Sequence, residues 1–126
     1  MLLTVDAHDR RSIYEQVADG IRTLIARGEL PEGAPLPPVR QLAADLGVNL
    51  NTIAVAYREL QSEGLIHVKR GLGAVVASRT AAGRSDDELR RPLRTALTQL
   101  VLAGLPRRKI LSLVSAELGA LMKGAR

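Results

Sequence analysis

Apolar residues recur at Ile13, Val17, Ile21, Leu24 and Ile25 up to Gly28, a spacing that gathers them on one face of a helix. Ser12, with Glu15 three residues on, supplies a capping box, so the pattern predicts a first helix over about 12–27. The next ten residues, Glu29 to Pro38, hold four prolines and a glycine, which excludes helix and inner strand and leaves an ordered connector. Val39, Leu42, Ala43 and Leu46 then share a short apolar face closed by Gly47, predicting a second helix over about 38–46 with Pro38 in its first turn. Ile53, Ala56, Tyr57 and Leu60 form a further stripe ending before Gly64, a third helix over about 50–63 with Asn49 or Leu50 near its cap. Leu65–Val68 and Ala74–Ala77 are β-branched runs flanking Lys69-Arg-Gly-Leu-Gly73, a predicted hairpin with a basic tip.

Residues 79–84 are small and polar without periodicity and read as a hinge between a domain at 1–78 and a tail at 85–126. Ser85 and Glu88 suggest a second capping box, followed by Leu89, Leu93, Ala96, Leu97, Leu100 and Val101 on one face. Pro92 is expected to kink that helix or restart it. Gly104 ends it, Pro106 starts another, and Ile110, Leu111, Leu113, Val114, Leu118, Leu121 and Met122 give the last helix a wide apolar stripe. Two helices this rich in Leu cannot bury their faces alone. Leu93, Leu97, Leu100, Val101, Ile110, Leu111, Val114, Leu118 and Leu121 are therefore the candidate dimerisation residues. The fold class expected is mainly α with a small β-hairpin.

Length and composition narrow the function. The 126 residues suit one domain with an appendage, and the absence of cysteine removes disulfides, thiolate metal sites and cysteine nucleophiles. Only Tyr14 and Tyr57 are aromatic, so the chain lacks the stacking platforms used on single-stranded nucleic acid, and a nucleic-acid partner would be duplex. The net charge of +5 is uneven: residues 1–78 hold 8 Lys/Arg against 9 Asp/Glu, residues 79–126 hold 10 against 4. Net basicity thus does not say where a polyanion would sit. No stretch approaches the roughly 20 apolar residues of a membrane span, and the charged first twelve residues lack the apolar core of a signal peptide, so no membrane partner and a cytoplasmic location are expected.

Two short helices joined by a Gly-containing turn of about four residues form a helix-turn-helix, whose second helix can enter a major groove. The basic hairpin tip behind it reads as a wing. Asn51, Val55, Arg58 and Ser62 lie at i, i+4, i+7 and i+11, opposite the apolar stripe, and project from one exposed face. An asparagine amide there can pair with adenine and a valine can touch a thymine methyl, while Arg40, Lys69 and Arg70 flank the face as phosphate or minor-groove contacts.

Leu36-Pro-Pro-Val-Arg-Gln-Leu-Ala43, Leu50-Asn-Thr-Ile53, Ala56-Tyr-Arg-Glu-Leu60, Glu63-Gly-Leu-Ile66 and Arg70-Gly-Leu-Gly73, after Ile13-Tyr-Glu-Gln16, resemble the winged helix-turn-helix of GntR-family transcription regulators over residues 11–77. The short two-helix tail is similar to that of the YtrA-like subfamily, whose members carry a small helical dimerisation tail in place of a large effector-binding domain and often regulate transporter operons. The resemblance implies DNA contacts at Arg40, Thr52, Arg70 and Gly71, and Asn49 and Asn51 fit the subfamily's Asn-x-Asn-Thr pattern. Where many relatives have arginines, this chain has Leu50 and Ala54, so those contacts do not carry over.

Each of these residues has a plainer role open to it. Asn49 and Asn51 serve equally as caps of the third helix, and Arg58 can pair with Glu59 or Glu63. Tyr14 and Tyr57 read as core, and His8 and His67 have no metal-ligand spacing, so no metal is expected. Arg90, Arg91 and Arg94 read as a solvated face. Arg107, Arg108 and Lys109 oppose the dipole at a helix start, which leaves flanking DNA or an acid of a second subunit open as partners. No phosphate-cradling loop and no Ser/His/acid set is present, so neither catalytic residues nor a cofactor are expected.

The reading is a sequence-specific transcription regulator, a repressor, bound as a homodimer to a pseudo-palindromic double-stranded DNA operator through Arg40, Asn49, Asn51, Thr52, Val55, Arg58, Lys69, Arg70 and Gly71. Any small-molecule effector is unknown. The alternative is a winged-helix adaptor whose Leu-rich tail docks on another protein.

Overall fold

A computed structural model describes residues 1, 3–78 and 85–122; the hinge expected at 79–84 and the last four positions of the tail lie outside the described residues. The elements run α1 (Ile13–Ala26), α2 (Val39–Leu46), α3 (Leu50–Ser62), β1 (Ile66–Lys69), β2 (Gly73–Val76), α4 (Asp86–Leu102) and α5 (Arg107–Leu121). Contacts divide the chain into two compact units, Met1–Arg79 and Thr80–Arg126.

In the first unit the cap comes first. The Ser12 hydroxyl accepts from the Glu15 backbone N–H at 3.3 Å and donates to the Glu15 carboxylate at 2.9 Å, so α1 starts where the spacing places it. Val17, Ala18, Ile21 and Ile25 of α1 pack on Ile53, Ala56 and Leu60 of α3, with Leu42 and Ala43 of α2 and Ile66 and Val76 of the hairpin completing one core. Gln16 is the buried polar residue at its margin. Its amide accepts from the Asp6 N–H at 2.7 Å and donates to the carbonyls of Asp6 and Arg11, which straps the N-terminal segment to α1 and satisfies the buried group.

Gly47 closes α2 in the left-handed region (φ 68°, ψ 35°), which lets the chain reverse into α3 within three residues. An added Cβ there meets nothing within 4 Å, so only the backbone conformation opposes a side chain. Gly47→Ala is accordingly expected to destabilise the first unit by about 1 kcal/mol and to lower its thermal midpoint by roughly 5 °C. An unchanged melt would show that the turn relaxes.

The hairpin pairs antiparallel in the register Ile66↔Val76, His67↔Val75, Val68↔Ala74 and Lys69↔Gly73. Each strand is displaced by one residue from the sequence expectation, because Lys69 and Gly73 still pair and the loop shrinks to Arg70, Gly71 and Leu72. Gly71 (φ 85°) and Gly73 (φ 76°) make that tight tip possible. The proline-rich connector does more than connect: Gly33 N–H donates to Val76 O, Val76 N–H to Ala34 O and Leu36 N–H to Ala74 O, all within 2.9 Å, so it forms a short third edge on β2. Pro35 lies in this edge opposite Val75, a position where its missing N–H removes no ladder bond.

In the second unit Ser85 caps α4 through the Glu88 N–H at 3.2 Å, and Asp86, Asp87 and Glu88 occupy the positive end of the helix. The restart expected at Pro92 does not occur. One helix runs from Asp86 to Leu102 with Pro92 at its seventh position, where the missing N–H removes one bond to the carbonyl four residues before while the turns beyond it keep theirs. Pro106 stands as the N-cap of α5. Leu93, Leu97, Val101, Leu105, Ile110, Leu111 and Val114 line one groove together with Arg107, and no residue of α4 or α5 is buried within the chain. Val101 and Leu111, at 61% and 60% exposed, are apolar surface without a cover.

Candidate nucleic-acid interface

Helix α3 is divided along its length. Ile53, Ala56, Tyr57 and Leu60 are buried, while Asn51, Val55, Arg58 and Ser62 are exposed along the opposite face. Burial of the first set fixes the orientation of the second. The Tyr57 hydroxyl, whose pKa burial pushes up to about 12, donates to the Pro37 carbonyl at 2.6 Å and pins the connector beside α3.

The two asparagines part company. Asn49 is the N-cap of α3 and its side-chain oxygen accepts the Asn51 backbone N–H at 2.7 Å. Asn51 makes no cap, and its side chain stands in the first turn of the exposed face. Asn51, Thr52 and Val55 border a shallow cleft completed by Ser12, Ile13 and Tyr14 at the start of α1. On the other side of α3, Arg58 and Gln61 line a cleft shared with Val68, Gly73 and Ala74 of the hairpin, which places the wing beside the exposed face. Arg40 is exposed in the first turn of α2, Lys69 ends β1, and Arg70 and Gly71 form the hairpin tip.

Charge separates in the same way. Arg11 pairs with Asp9 at 2.9 Å and with Asp19, Arg22 reaches Asp19, Glu59 and Glu63, and Arg27 meets Glu29 at 3.3 Å. Hydrogen bonds from Arg11 hold the Asp9 carboxyl below its ordinary range. Five acids are thereby engaged by three arginines of α1 and its flanks. Arg40, Arg58, Lys69 and Arg70 make no ion pair among the described residues. The pairing of Arg58 with Glu59 or Glu63, open on sequence grounds, is not formed, because Arg22 takes both carboxylates. Residues 1–78, of net charge −1, thus include four exposed cations that no described acid pairs, and the net charge conceals this.

The arrangement offers an amide able to donate and accept together, a methyl surface one turn on, and point charges on either side. These are the groups that read a base edge and hold phosphates. Sequence reasoning missed Arg22, whose significance depends on acids 37 and 41 residues away. Among the described residues no cluster of His, Asp or Glu is placed to hold a metal ion, and no helix is long and apolar enough to cross a membrane.

Known proteins share this architecture. The model of bacterial regulatory proteins, gntR family, matches residues 13–76. The HTH-type transcriptional repressor YtrA of Bacillus subtilis is 36% identical over 76 residues, which cover 60% of this chain and 58% of that protein. The matched region therefore spans less than two thirds of that relative. A solved transcriptional antiterminator from Listeria monocytogenes EGD-e superposes with TM-score 0.86 at 28% identity, covering 100% of this chain and 96% of its own. YtrA from Sulfolobus acidocaldarius, a GntR-family transcription factor, gives TM-score 0.67 at 36% identity, with 81% of this chain and 99% of its own covered. With the family's motifs seated on a helix-turn-helix and its wing, and with a two-helix tail, this chain belongs to the GntR family of bacterial regulatory proteins, in its YtrA-like branch.

Proposed function

We propose that the chain is a homodimeric transcription repressor that binds a pseudo-palindromic duplex operator, with α3 in the major groove and the Arg70 tip over the backbone or adjacent minor groove. The observation that carries this reading is the exposed Asn51–Val55–Arg58 face with the hairpin beside Arg58, together with exposed Arg40, Lys69 and Arg70 that make no ion pair among the described residues. Cations without an acid partner break no ion pair on meeting phosphates, and the counterions they displace from the duplex supply most of the sequence-independent affinity. The uncovered apolar faces of α4 and α5 support a second copy as the cover, and a two-fold dimer asks for two half-sites. Repression follows the name of the Bacillus subtilis relative.

Single-stranded nucleic acid is the competing target. Duplex DNA fits this chain better. Tyr57 is buried, Tyr14 packs against the core, and there is no Phe or Trp on which bases could stack.

Selection of duplexes from a random pool with the full-length protein, paired with sedimentation, tests both halves of the proposal. An enriched inverted repeat bound by a dimer is the expected result. Binding without sequence preference, or a monomer at working concentration, would overturn it. Asn51→Ala should then relax preference at one position of each half-site, by about 1 to 3 kcal/mol, and leave binding to unrelated duplexes unchanged. A uniform loss across sequences would assign Asn51 to positioning instead.

A further inference from the structure

Arg22 projects from α1 against the flank of α3 and holds three carboxylates at once. Its Nη1 donates to Asp19 at 2.6 Å, its Nε donates to Glu63 Oε1 at 2.8 Å, its Nη2 donates to Glu63 Oε2, and the same nitrogen lies 3.4 Å from Glu59 Oε2. Two parallel bonds to one carboxylate fix the guanidinium plane as well as its distance, which an ammonium cannot do. Hydrogen bonding to Glu63 raises the Arg22 pKa further, so the charge is permanent.

We propose that Arg22 is a positioning residue for base reading, fixing the rotation at which α3 presents Asn51 and Val55. The inference rests on the DNA-reading function proposed above. Glu59 and Glu63 lie four residues apart on the α1 side of α3, between its buried stripe and its exposed face. The N-terminal end of α3 is held by the Asn49 cap and the Gly47 turn. Arg22 holds the other end, where Glu63 is the C-cap. Between these ends α3 rests on Val17, Ile21 and other apolar side chains, whose attraction is non-directional, and the Tyr57 hydrogen bond there ties α3 to the connector rather than to α1. Hydrogen bonds to a base edge do not tolerate a roll of α3, since they weaken steeply with misalignment. Phosphate contacts by long flexible cations tolerate it.

The side chain of Arg22 is about one third exposed, so its removal should hurt reading more than folding. The test compares the duplex that the wild-type protein enriches from a random pool with a scrambled duplex of equal length, using Arg22→Lys, Arg22→Gln and Glu63→Gln, each with a thermal melt. The ratio of the two affinities is expected to fall about tenfold in all three, the discrimination carried by one base contact. Arg22→Lys, which keeps the charge, should bind the scrambled duplex as the wild type does. A wild-type ratio in Arg22→Lys would overturn the proposal in favour of charge alone. Equal losses on both duplexes, or variants that no longer melt cooperatively, would show a structural role and overturn it too. If the wild type enriches no duplex, the DNA-reading function itself fails and takes this inference with it.

Discussion

Raising the salt from about 50 to 200 mM is expected to weaken binding to a selected duplex by roughly 10⁴-fold. On the proposed DNA face, Arg40, Arg58, Lys69 and Arg70 give each protomer four cations with no ion pair among the described residues. Two protomers therefore displace about eight counterions, a logarithmic slope near −7. Arg40→Ala and Arg70→Ala should each flatten that slope by about 2 per dimer and weaken all sequences alike, because a phosphate contact carries no base information. Arg27→Ala is the control: Arg27 is paired with Glu29 and should leave the slope unchanged. Anisotropy titrations at four salt concentrations measure all of this. A wild-type slope shallower than about −2 would mean that these cations do not face DNA phosphates.

Placing a charge in the tail groove should dissociate the proposed dimer. Leu97 lines that groove with Leu93, Val101 and Ile110, and Leu97→Glu would bury a carboxylate twice across a two-fold interface. Arg107 lines the same groove and offsets part of the desolvation cost of several kcal/mol per buried carboxylate, so the dissociation constant should rise about tenfold or more. Sedimentation would then show a monomer, and the thermal transition of the first unit should stay in place because its core contains no residue of α4 or α5. Affinity for an inverted repeat should fall towards that for a single half-site. A Leu97→Glu protein that still sediments as a dimer would remove the tail from the interface.

Local signals were readable where one residue controls one backbone event. Ser12 starts α1, Gly47 and Asn49 set the turn into α3, and Ser85 starts α4, because caps and positive-φ turns act within a few residues. Of the two outcomes expected at Pro92, a kink or a restart, the restart does not occur. The strand ends moved by one residue because pairing between Lys69 and Gly73 depends on the facing strand and not on local preference.

The face of α3 was legible before any coordinates, since helical periodicity alone puts Asn51, Val55 and Arg58 opposite Ile53, Tyr57 and Leu60. What that face lacks in acidic neighbours was not. Charge counting gives residues 1–78 a net −1, and only the packing of α1 against α3 decides that Arg22 takes Glu59 and Glu63 and leaves Arg58 unpaired.

The amino-acid sequence by itself thus determined the elements, their order, the apolar and polar sides of each helix and the family to which the motifs belong. Those properties follow from spacing and caps, which are local. Tertiary structure alone decided the connector's third edge on β2, the division of cations into paired and unpaired, and the clamp from Arg22 to α3. These depend on groups tens of residues apart meeting within 3.5 Å, and periodicity along a chain carries no such distances.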